Sequence, residues 1–144
     1  MAGRTILLRP GYGRKDEALT NAAGFLPGQL VRLNSAGKII LHATIHGHGP
    51  RKILVEDAGW GKTVDDAFAA NVNAPFYNMS SEGKYNFRCK EGFNYTVGTL
   101  LVSNGDGNFR PYVAGTSLQV FGEVRTALDL TAAGAPALVE ADAI

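Results

Sequence analysis

Three histidines within seven residues, His42, His46 and His48, are the first side chains of this sequence that could do chemistry together. Imidazole is a common zinc ligand. However, no cysteine or carboxylate lies between His42 and Pro50, and the chain has no other histidine. The stretch therefore reads as a polar, glycine-rich loop. Gly61-Lys62-Thr63 ends like a phosphate-binding loop, but that motif needs glycine five positions earlier, where Glu56 would oppose a phosphate. Asp65 and Asp66 follow Thr63 as the acids of a capped helical first turn would, so with Asp57 they do not read as a carboxylate cluster. Asn104-Gly105-Asp106-Gly107-Asn108 has the flavour of a calcium loop without its closing bidentate acid. With no nucleophile elbow, zinc-protease helix or dinucleotide turn either, the sequence predicts no catalytic residues, no cofactor and no metal.

What remains is scaffold. The 144 residues suit one domain with its own core. A formal charge of +1 gives no reason to expect nucleic acid or a membrane as partner. The single cysteine, Cys89, excludes an internal disulfide and reads as a packed free thiol. The first ten residues lack the long apolar run of a signal peptide, and no run approaches a membrane span. Eighteen glycines with 9% aromatics predict many turns between short strands.

The clearest local signal is a hairpin written twice. Gly28 to His42 carries Leu30, Asn34 and Gly37 at the spacing with which Gly98 to Tyr112 carries Leu100, Asn104 and Gly107. In each copy Asn can bond back to the backbone, and Gly can take the left-handed conformation that closes the turn. Further strands are expected at Lys52–Asp57, from Asn73 to Tyr77 (with Pro75 limiting it to an edge or strand start), and at Tyr85–Lys90. In the last of these Tyr85, Phe87 and Cys89 should face a core, with Asn86, Arg88 and Lys90 in water. Phe93–Val97, the run from Leu118 to Leu130 and the closing Ala137–Ile144 complete the pattern. One short helix is expected at Val64–Ala70. The prediction is an all-β fold, a compact antiparallel barrel or sandwich.

Residues 1–26 read differently. Arg4, Arg9, Arg14 and Lys15 come with no acid in the first fifteen residues, Ile6, Leu7, Leu8 and Tyr12 supply apolar anchors, and Asp16 to Ala23 could make one or two helical turns. This predicts an extended N-terminal arm over 1–26 that orders on a partner, ahead of a β domain over 27–144.

The order of segments resembles the capsid decoration, or cement, proteins of tailed-bacteriophage heads. The residues that carry the likeness are Pro27 to Lys38, Val55-Glu56-Asp57, Gly61 to Phe68, Val97 to Asn108 and Gly122 to Leu130. The resemblance implies a structural protein on the outer capsid surface of the virion, made in the host cytoplasm. It would bind the major capsid protein and other copies of itself, as trimers rather than dimers, and hold neighbouring subunits together. The arm residues Arg4, Ile6, Leu7, Leu8, Arg9, Tyr12, Arg14 and Lys15 are then the capsid-contact candidates. The rival from another class is a carbohydrate- or receptor-binding β domain on a virion, with Trp60, Tyr77, Tyr85 and Tyr95 as a stacking surface.

Overall fold

A computed structural model describes residues 4–9, 11 and 13–144. Strands β1 (Leu7–Arg9), β2 (Arg14–Leu19), β3 (Leu30–Leu33), β4 (Ile39–Leu41), β5 (Lys52–Leu54), β6 (Asn73–Asn78), β7 (Lys84–Cys89), β8 (Asn94–Tyr95), β9 (Leu100–Ser103), β10 (Phe109–Pro111), β11 (Gly122–Val124), β12 (Leu128–Asp129) and β13 (Ala137–Ala143) follow in order. The only helix among the described residues is one 3₁₀ turn, Ala58–Trp60.

The hairpin repeat belongs to a larger one. In β3–β4, Val31 faces Leu41 and Leu33 faces Ile39; in β9–β10, seventy residues on, Leu101 faces Pro111 and Ser103 faces Phe109. Leu30 pairs with Ile53 of β5, and Leu100 pairs with Glu123 of β11. Strand β5 continues into β6 through Leu54↔Phe76, and β11 into β13 through Val124↔Ala141. β6 then pairs with β2 through Asp16↔Phe76, and β13 with β7 through Tyr85↔Ala141. Each ring closes on one parallel bridge, Thr20↔Ile39 in the first and Cys89↔Phe109 in the second. The chain is thus two five-stranded barrels of one topology, β2-β6-β5-β3-β4 and β7-β13-β11-β9-β10.

Side-chain alternation decides how they stack. On β3 and β5, Val31 and Leu54 point into the first barrel with Phe25, Ile39, Phe68, Ala74 and Phe76. Leu30, Ile53 and Val55 point the other way and join the second barrel's core, around Tyr85, Phe87, Tyr95, Phe109 and Phe121. The counterparts of Ile53 and Val55 are Glu123 and Arg125, and Arg125 pairs with Glu123 at 3.5 Å and with Asp142. The outer face of the first barrel is thus apolar and packed on the second, whereas the matching face of the second carries ion pairs.

Several expectations need correction. The arm over 1–26 does not stand apart: β2 is the first strand of the first barrel, Ile6 is fully buried, and β1 pairs with β7. The helical turns expected over Asp16 to Ala23 do not form: Asp16 to Leu19 belong to β2, whose six residues find partners along β6, and Thr20 makes a bridge to Ile39. The helix at Val64–Ala70 stops at its cap. Thr63 N–H donates to Asp66 at 2.7 Å and Asp65 N–H to Thr63 Oγ1 at 3.3 Å. Beyond that, Phe68 exchanges backbone bonds with the first barrel, its N–H donating to Phe25 and its carbonyl accepting from Gly24. Pro75 lies within β6, between β2 and β5, rather than at an edge or strand start. Its carbonyl accepts from Val55 at 3.0 Å, so its missing N–H falls where β5 has just ended and the β2 ladder loses nothing. Arg88 is not in water: it is 6% exposed in the seam between the barrels.

Candidate functional site

Beside its apolar contacts the seam carries polar links, led by one buried cation. Arg88 N–H donates to the Gly28 carbonyl at 2.9 Å. Its guanidinium donates from Nε to the Pro27 carbonyl and from Nη2 to the Val64 carbonyl, both at 2.8 Å. Burial lowers its pKa, while the Asp65 charge acts the other way. Two of the three histidine side chains are spent on similar links, and His48 is exposed. His42 Nδ1 lies 2.8 Å from Ser103 Oγ and its Nε2 2.7 Å from the His48 carbonyl. His46 Nδ1 lies 2.6 Å from Ser117 Oγ. Among the described residues no group of three His, Cys, Asp or Glu could hold a metal ion. Cys89 is buried, which pushes its thiol well above the ordinary range and away from thiolate reactivity.

The described capsid-contact candidates separate into core and surface. Ile6 is in the core and has no surface to offer a partner. Leu7 is half-buried against Tyr85, whereas Leu8 is 40% exposed. Arg9 donates from Nε to the Glu82 carbonyl at 3.1 Å and lies 3.6 Å from Asp142. Arg4, Arg14 and Lys15 are exposed, and Tyr12 lies outside the described residues. The four-aromatic stacking surface does not assemble: Tyr85 and Tyr95 are fully buried, and Tyr77 packs on the core 6.1 Å from Tyr85. Trp60 alone stands out, 83% exposed on the 3₁₀ turn.

Two grooves occupy equivalent places on the barrels. The smaller, about 340 Å³, is lined by Asn86, Leu128, Leu138 and Glu140, and by Arg4 from the chain's own N-terminal segment. The larger, about 790 Å³, has Glu17, Phe68, Asn73 and Pro75 at the matching positions, with Lys15, Asp57, Trp60, Lys62 and Asp66 around them. Its extra wall is an insertion. Val55 and Arg125 are counterparts, as are Phe68 and Leu128; twelve residues separate the first pair's members from the second in one barrel, and two in the other. Thr63 holds the Asp66 carboxyl below its ordinary range through two hydrogen bonds, which keeps a negative charge on the rim. Sequence reasoning misses this groove because its walls come from separated stretches; the exposed Trp was its one visible signal.

The matching strands differ along their edges. On β7, Asn86 N–H donates to the Ile6 carbonyl at 2.8 Å, and the Asn86 side chain donates to the Thr5 carbonyl at 2.7 Å. Its counterpart on β2 is Glu17, whose N–H turns away from β6 and, among the described residues, is capped by the neighbouring Asp16 carboxylate at 2.8 Å. Among the described residues no strand pairs with that edge of β2 before the bridge at Thr20.

No family model matches the chain, and no curated protein matches it. Among solved structures, it is similar to the N base of the head fiber gp8.5 of bacteriophage phi29, with a TM-score of 0.57 at 12% sequence identity, covering 92% of this chain and 94% of that one. At that identity, what the two share is the fold.

Proposed function

We propose that this chain is a structural protein of a phage head, a decoration or cement protein that binds the outer capsid surface. There it strengthens contacts between major capsid protein subunits, with no catalytic step. The observation that carries the reading is the end-to-end fold likeness to a head fiber base. It is supported by a polar architecture in which buried groups are spent on holding two barrels together. The contact lies along the N-terminal side of the molecule, where Leu8, Arg9, Arg14 and Lys15 offer an apolar residue among cations. Each copy adds a modest buried area across a seam between subunits, and repetition around a symmetric shell multiplies it. Copies gather as trimers at threefold positions rather than as dimers.

The test uses heads purified without this protein. Purified chain should sediment with them at saturable stoichiometry and raise the temperature at which they release DNA. Protein that stays in the supernatant, leaving that temperature unchanged, overturns the reading. Replacing Arg14, which is exposed and lies outside the larger groove, by Glu should weaken sedimentation several-fold while leaving the melting temperature of the free protein within a few degrees. Sedimentation equilibrium tests the threefold association separately.

A further inference from the structure

We infer that the open edge of β2, with the groove beside Trp60, receives an extended segment of the head's shell protein as an added strand. This rests on the head-binding reading above and names the site at which it occurs.

The molecule carries its own template. On the second barrel, residues 5–9 run antiparallel along β7, receive the Asn86 N–H on the Ile6 carbonyl, and leave Arg4 at the groove on that strand's outer face. The first barrel has the same strand in the same ring, with no chain in that place among the described residues. Its outward backbone groups alternate from Glu17, because Pro75, directly opposite, gives its carbonyl to Val55 on the far side. Glu17 N–H and its carbonyl thus face outward, as do those of Lys15, the spacing an extended strand requires, while from Leu19 on the same edge turns to the Thr20↔Ile39 closure. The Asp16 carboxylate that caps Glu17 N–H is exposed and can swing away.

The groove indicates the chemistry of the guest. In the second barrel the groove residue is an arginine; in the first, Glu17, Asp57 and Asp66 outnumber Lys15 and Lys62, and Trp60 offers an open ring face. A cationic side chain, flanked by extended backbone, fits both the charge and the ring. A second copy is a poorer guest. Its residues 5–9, the segment that fills the equivalent place on the sister barrel, are held on its own β7. The insertion bearing Trp60 has no equivalent in the sister barrel, which closes without it.

Glu17→Pro tests this directly. Proline at 17 removes an N–H that no β6 partner uses, and its ring blocks an incoming strand. The variant should melt close to wild type yet bind heads at least tenfold more weakly, while Glu17→Gln binds within about twofold of Glu17→Ala. The single tryptophan reports on the groove. On binding heads, its emission, read by difference against heads alone, should shift to the blue and lose most of its acrylamide quenching, and Trp60→Ala should bind several-fold more weakly.

If wild-type protein binds heads while Glu17→Pro binds equally well and Trp60 stays quenchable, the inference fails and the head-binding reading survives. If wild type does not bind heads, the head-binding reading itself fails. A Glu17→Pro-sensitive dimer in the absence of heads would overturn the inference in favour of self-pairing. Should Glu17→Pro not fold, the Trp60 readings decide alone.

Discussion

Gly28 and Gly98 stand at equivalent corners of the two barrels with the same backbone torsion, φ +90° in each, yet only Gly28 is walled in. A Cβ at Gly28 would meet Leu138 Cδ2 at 2.7 Å and the Arg88 backbone nitrogen at 3.1 Å, whereas one at Gly98 would meet nothing within 4 Å. The pair separates two costs that alanine usually mixes. Gly98→Ala should lose only the left-handed backbone term, about 1–2 kcal/mol. Gly28→Ala should lose that and a further overpacking cost of about 1–3 kcal/mol as the seam is forced apart. Urea denaturation of both variants checks this; equal losses would mean that the seam yields freely.

Arg88 predicts how tightly the barrels are coupled. Arg88→Ala removes two side-chain donors and leaves the Pro27 and Val64 carbonyls buried without them. The expected loss is about 2–4 kcal/mol, with a shallower, two-step urea transition if the barrels then melt separately. The counterpart Leu19 is 44% exposed, so Leu19→Ala should cost well under half as much. A single sharp transition at an unchanged midpoint for Arg88→Ala would remove the guanidinium from any part in the seam.

What the sequence disclosed follows from the range of the forces involved. The twin hairpins were legible because each turn is closed by its own residues: Asn34 and Asn104 N–H donate to the carbonyls of Lys38 and Asn108 at 2.8 and 2.9 Å, and Gly37 and Gly107 have φ of +76° and +85°. The inward face of β7, with Tyr85, Phe87 and Cys89, was legible from alternation. The second barrel of the repeat was not, because closure rests on Thr20↔Ile39 and Cys89↔Phe109, contacts between distant stretches with no local signature. Arg88 looked like a solvent residue because alternation tells inside from outside of one sheet and cannot see a second barrel laid over its outer face. The helix after Thr63 was misread for the opposite reason: its cap chemistry is real, but pairing of Phe68 with Phe25 wins over one more helical turn.

Burial also fixes the alkaline limit of stability. Desolvation pushes up the Cys89 thiol and the phenols of Tyr85 and Tyr95. A folded pKa raised above the unfolded value means that the unfolded chain loses its proton first. The stabilisation is therefore whole below the unfolded pKa values, about 8.5 for the thiol and about 10 for the phenols, and is lost as pH rises through the folded ones. The unfolding free energy should fall from about pH 8.5 upward and more steeply above pH 10, by up to about 1.4 kcal/mol per pH unit for each group engaged, and the melting temperature with it. Cys89→Ala should lower the plateau but flatten the segment between about pH 8.5 and 10. A slope unchanged by that substitution would mean that the thiol does not couple to folding.

The N-terminal segment provides the last test, because stability and binding diverge there by residue. Ile6 is fully buried among the second barrel's side chains, and its amide donates to Glu56 Oε2 at 3.1 Å. Ile6→Ala should therefore cost about 2–5 kcal/mol. Deleting residues 1–23 would remove β1, β2 and the Thr20↔Ile39 closure together, exposing Ala74 and Phe76 along a freed edge of β6. The product should lose cooperative melting of the first barrel and much of the β circular dichroism. Leu8→Ser, by contrast, changes a residue that is 40% exposed, so its effect on stability should stay within about 0.5 kcal/mol while head binding falls. Hydrogen exchange on the truncated chain would decide the matter: protected amides at Val31, Ile39 and Leu54 would mean that the first barrel closes without β2, and that residues 14–20 are an arm after all.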